Sequence, residues 1–74
     1  MVQTVHPRGY DDVIHVGHLF CHDIPVMMDL TALSAEDAQP LVDFAAGLIV
    51  GRGGELERVA SRVFLLRPGP AGER

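Results

Sequence analysis

The stretch Leu41-Val-Asp-Phe-Ala-Ala-Gly-Leu-Ile-Val50 constrains the fold of this chain more than any other. On a helix turning about 100° per residue, Phe44, Leu48, Leu41, Ala45, Ile49, Val42, Ala46 and Val50 fall in that order around an arc of roughly 240°. Only Asp43 and Gly47 lie outside it. A helix covering one side of a sheet needs an apolar stripe of about 100° or a little more, so the surplus must be buried elsewhere. A second copy of the helix is the simplest partner, because a two-fold axis presents one patch to itself. The small residues Ala45, Ala46 and Gly47 allow close approach. A central core helix in a larger monomer is hard to accommodate in 74 residues. The expectation is a homodimer whose interface is formed by Leu41, Val42, Ala45, Ala46 and Ile49.

A single small domain of this length buries only about 60% of its unfolded-chain surface, and association would add to that. With 47% hydrophobic and 22% charged residues, the chain is globular rather than disordered. Ten acidic residues against six basic ones give a formal net charge of −4, a field that repels phosphate backbones and excludes nucleic acid as a favoured partner. No apolar run approaches the roughly 20 residues of a transmembrane helix, and Met1-Val-Gln-Thr-Val5 lacks the charged start and apolar core of a signal peptide. A cytoplasmic location is expected. The single Cys21 cannot form an intramolecular disulfide, which agrees with a reducing compartment.

The chain reads as an α/β fold, a small two-layer sandwich of order β-α-β-α-β-β. Val2 to His6 alternates weakly and stops at Pro7, which cannot donate to a ladder. Asp11 or Asp12 can cap a helix beginning near Val13, with Val13, Val16, Gly17 and Phe20 on its inward face. Pro25 to Leu30 has the length and apolarity of a buried strand. Two strands joined by a helix make a crossover unit. Ser34 and Asp37 approximate a capping box, so the second helix starts near Ala35 and runs to about Val50. Pro40 predicts a kink or a short lead-in turn. Gly51 to Gly54 ends the helix, and the runs Glu55–Val59 and Arg62–Arg67 form a hairpin around Ala60-Ser61. Residues 2–68 make the core domain, and 69–74 a frayed tail.

Three possible chemistries deserve weighing. His15, His18 and His22 share one side of the first helix at spacings of three and four, with Cys21 nearby, and could serve a metal-responsive regulator. One short helix rarely gives four ligands the directions of a closed tetrahedron, so a solvated His-rich face is the plainer reading, and no cofactor is expected. Cys21 and His22 point about 100° apart and are poorly placed to share a proton. The glycines at 51, 53 and 54 follow a helix and lack the Lys-Ser/Thr of a phosphate loop. No catalytic constellation emerges, and the chain is not expected to be an enzyme. The hairpin offers more: with a turn at Ala60-Ser61, Arg58 and Phe64 lie opposite or diagonal across the ladder. A guanidinium beside an aromatic ring combines a carboxylate fork with an apolar platform, which suits a short peptide carrying acidic and apolar side chains. The competing reading is a core Phe beside a surface Arg.

Four segments carry a resemblance. Val5-His-Pro-Arg-Gly-Tyr-Asp-Asp12, Pro25-Val-Met-Met-Asp-Leu30, Leu41-Val-Asp-Phe-Ala-Ala-Gly-Leu48 and Gly54-Glu-Leu-Glu-Arg-Val-Ala-Ser-Arg-Val-Phe-Leu-Leu66 occur in the order and near spacing of the C-terminal core domain of SepF, a family of bacterial cell-division factors. The Asp-Phe-Ala-Ala-Gly-Leu form resembles actinobacterial members. What the resemblance implies is a small dimeric α/β sandwich acting at the division septum. It binds the C-terminal tail of FtsZ, with other SepF-like proteins as alternative subunits. In that family a basic residue and a Phe six positions apart hold the peptide, and Arg58 and Phe64 stand there here. Family members also carry an N-terminal amphipathic helix and linker that these residues do not contain, so membrane contact is expected only through a segment absent from this chain. Pro40 and the His-rich helix face depart from typical members.

Overall fold

The structure, a computed structural model, describes residues 1–69, and residues 70–74 of the expected tail lie outside them. Strand β1 (Gln3–Val5) leads through a 3-10 turn (Tyr10–Asp12) into helix α1 (Val13–Cys21) and strand β2 (Val26–Asp29). Helix α2 (Ala35–Arg52) and strands β3 (Gly54–Ala60) and β4 (Val63–Pro68) complete the expected order. The sheet runs β1-β2-β4-β3, with β1 parallel to β2 and β4 antiparallel to both neighbours.

Side-chain alternation along the strands decides which face is covered. Val26 and Met28 of β2 and Phe64 and Leu66 of β4 are buried together, while Met27, Asp29, Val63 and Leu65 between them stay half-buried on the other side. Val13, Val16 and Phe20 of α1 and Ala38, Leu41 and Ala45 of α2 close over the first set in one hydrophobic cluster. Both helices therefore share one face of the sheet, in two layers.

The helix ends follow local chemistry. Ser34 Oγ accepts a hydrogen bond from the Asp37 N–H at 3.1 Å, the expected N-cap of α2. Asp12 is the N-cap residue of α1 by position, but its side chain accepts from the Arg8 N–H at 2.9 Å and makes no cap bond to the helix. It fastens the turn leading in. Helix α2 passes Pro40 as one continuous element, without a separate lead-in turn. Proline removes one donor there, and the carbonyl it would have served belongs to exposed Glu36, where water can take its place. The helix ends at Arg52, two residues beyond the expected Val50, where Gly53 adopts φ 85°. Gly54 follows at φ 127°, and a Cβ there would stand 2.3 Å from the Arg67 carbonyl oxygen. Only glycine lets β3 start this close to β4.

The wide apolar arc of α2 divides in a way that corrects part of the expected interface. Leu41 and Ala45 are 1% and 0% exposed, enclosed by the chain's own core. The sheet and α1 take a broader share of the arc than a single stripe, because Phe44 and Leu48 on one flank and Val42 and Ile49 on the other also pack against the cluster. Ala46 and Val50 remain exposed, Val50 at 87%.

Candidate functional site

A β-bulge aims the hairpin's charged residues. The turn falls at Ser61-Arg62, one residue later than expected, and Ala60 pairs with Val63. A regular ladder continuing from that pair would set Arg58 opposite Leu65, on the uncovered face of the sheet. The register instead shifts between Arg58 and Ala60, leaving Val59 as the extra residue, and Arg58 pairs with Phe64. The bulge thus moves Arg58 to the helix side. Its guanidinium carbon lies 5.4 Å from the centroid of the Phe64 ring, within cation–π range.

Phe64 is itself 5% exposed and belongs to the core, as the competing reading of that residue has it. It is structural, and its ring is the floor beneath Arg58. Between this hairpin and the first turns of α2 lies a pocket of about 110 Å³. Ala35, Ala38, Gln39 and Val42 line it from α2, and Arg58, Ser61, Arg62 and Phe64 from the hairpin. Val42, placed by sequence in the dimer interface, thus also forms a wall here.

Arg62 joins the hairpin turn to the segment that leads into α2. Its Nη1 donates to the Leu33 carbonyl at 2.5 Å, and its own carbonyl accepts from the Leu30 N–H at 2.8 Å. Both bonds tie the hairpin turn to the loop that delivers α2. Sequence reasoning missed Arg62, because its partners stand about 30 residues away and the spacing alone does not bring them together.

The electrostatics are one-sided. Arg67 is committed on the opposite face, its Nη2 at 2.6 Å from Glu55 Oε1 and its Nη1 at 2.6 Å from Glu57 Oε1. The hydrogen bonds to Glu55 and then Glu57 raise its pKa further. Arg58 and Arg62 have no carboxylate within 4.0 Å among the described residues, and no acidic side chain lines the pocket. In a chain of net charge −4, this pocket is a local cationic site.

The histidine face does not assemble into a metal centre. The His18 and His22 rings lie tilted at 44° with centroids 4.4 Å apart, and His22 Nδ1 is engaged with the His18 carbonyl at 2.8 Å. Among the described residues no group of three or more His, Cys, Asp or Glu is placed to hold a metal, so His15, His18, Cys21 and His22 give the regulator alternative no site. Among the described residues no helix is long and apolar enough to cross a membrane. Tyr10, Ile14, Ala46 and Val50 are exposed apolar or aromatic residues of the helices and the turn before α1.

Comparison with known proteins gives a consistent result. The family described as "Cell division protein SepF" matches residues 2–70. Cell division protein SepF of Cutibacterium acnes is 54% identical over 67 residues, covering 90% of this chain and 39% of that protein. Its counterpart in Thermobifida fusca is 51% identical over 67 residues with the same coverage. The chain therefore spans about two-fifths of the length of these relatives. A solved SepF-like protein from Archaeoglobus fulgidus superposes with a TM-score of 0.83 over 90% of this chain and 83% of its own, at 10% identity, and so shares the fold.

Proposed function

The chain belongs to the SepF family of cell-division proteins, and from that premise we propose that it is a dimeric interaction module that binds the C-terminal tail peptide of FtsZ. The observation carrying this reading is the pocket between α2 and the hairpin. It pairs the Phe64 floor and the Val42 and Ala38 walls with two arginines that have no carboxylate partner among the described residues. An extended peptide with apolar and acidic side chains complements both features. The module works without catalysis, on the cytoplasmic side of the division septum.

Dimerisation rests on the helix layer. Ala46 and Val50 form the part of the α2 arc that the chain's own core leaves exposed, with the half-buried Val42 and Ile49 at its edge. A second copy related by a two-fold axis covers it with the same residues. Leu41 and Ala45 support that surface from beneath. Isothermal titration of a synthetic FtsZ tail peptide tests the function. Saturable binding with one peptide per protomer is expected, and an absence of binding at millimolar peptide would contradict it.

A further inference from the structure

Building on the peptide-binding reading, we propose that Arg62 is a second carboxylate-binding residue of the pocket and sets its preference for an acidic side chain beside the apolar one. Arg58 alone is a weak discriminator. It is exposed, so solvent screens its charge, and among the described residues its guanidinium rests against the Phe64 ring without a hydrogen bond. Arg62 differs in both respects. It is half-buried, and its bond to the Leu33 carbonyl uses one of five guanidinium donors while holding the planar group in place. The remaining donors form a preorganised fork at the edge of a small cavity.

Among the described residues, Arg58 and Arg62 are the only charged groups lining that cavity of about 110 Å³. Among the described residues neither guanidinium has a carboxylate partner, and their like charges repel each other weakly through solvent until an anion bridges them. A carboxylate on the peptide removes that repulsion. An amide of the same shape does not, and would leave both guanidinium groups facing a neutral group.

The test is a cycle of protein and peptide variants, read by isothermal titration at low salt. The probes are the synthetic FtsZ tail peptide and the same peptide with every Asp and Glu changed to the amide. Wild type should favour the acidic peptide by at least about 30-fold, and Arg62→Gln should reduce that preference by about 10-fold while affecting the amide peptide little. Arg62→Lys keeps a charge and a donor for the Leu33 carbonyl but has no fork. It should stay folded and lose a few-fold on the acidic peptide alone, so the test survives if Arg62→Gln unfolds. Equal weakening of both peptides in these variants would make Arg62 a strut that shapes the pocket, and would overturn the inference. Wild type binding neither peptide would refute FtsZ recognition itself, and this inference with it.

Discussion

The edge of the Phe44 ring occupies the space beside Gly17 where α1 and α2 meet: a Cβ on Gly17 would lie 3.1 Å from Phe44 Cζ. The contact fixes how closely the helix layer packs, and the same ring meets Tyr10 edge-on with centroids 6.4 Å apart. Gly17→Ala asks the ring to give by a few tenths of an ångström, against a helix-propensity gain of up to about 1 kcal/mol, and should be near neutral. Gly17→Val drives branched carbons into Phe44 and should cost about 1 to 3 kcal/mol. Urea midpoints of the two variants check this, and equal midpoints would mean that Phe44 is not confined.

Helix α2 allows a clean separation of association from folding. Ala46 is exposed in the single chain, so Ala46→Glu should leave the domain folded, whereas in a dimer it buries two charges at a cost of several kcal/mol each. Light scattering should report half the wild-type mass with an unchanged circular dichroism spectrum. A dimer that persists would place the interface elsewhere.

The acid side of the stability profile should report Asp29. Its Oδ1 accepts from Thr31 Oγ1 at 2.6 Å and from the Thr31 N–H at 3.0 Å, and its Oδ2 lies 3.3 Å from His6 Nδ1. The Thr31 hydrogen bonds, the side-chain one foremost, hold its carboxyl below the usual carboxylate value. A depressed folded value means that the ionised group stabilises the native state above the unfolded value of about 3.9, and that this contribution disappears as pH falls through the folded value. Thr31→Val removes the strongest donor. The Asp29 titration followed by NMR should move upward, and the acid-induced loss of stability should become shallower. An unmoved titration would assign the shift to another cause.

Much of this fold was legible because local signals and the global architecture agree. Ser34 caps α2 where the Ser-x-x-Asp spacing placed it, and Val13, Val16 and Phe20 turn inward at helical spacing. What escaped depends on tertiary context. The split of the α2 arc, with Leu41 and Ala45 in the core and Ala46 outside, is decided by how widely α1 and the sheet wrap that helix, and periodicity does not reveal this. The pairing of Arg58 with Phe64 was within reach of hairpin register, yet its exact alignment comes from a bulge at Val59 that no Gly or Pro marks. Arg62 enters through its bonds to the Leu33 carbonyl and the Leu30 N–H, both distant in sequence.

Phe64 carries two roles that one substitution can divide. Phe64→Ala opens a core cavity and should cost about 3 to 5 kcal/mol, enough to unfold a domain of this size. Phe64→Leu keeps most of the apolar volume, should cost about 1 to 2 kcal/mol, and removes the ring beneath Arg58. A folded Phe64→Leu protein should bind the FtsZ tail several-fold more weakly. Undiminished affinity would leave Phe64 as core alone.

The most direct measurement is titration of the FtsZ tail peptide into wild type and Arg58→Glu at low ionic strength and near 1 M salt. Arg58 is exposed, so the reversal should spare the fold while placing a negative charge at the mouth of the pocket. The variant should lose at least about 10-fold in affinity at low salt and much less near 1 M, where the screening length is only about 3 Å. Wild-type affinity of the folded variant at low salt would contradict peptide recognition at this pocket.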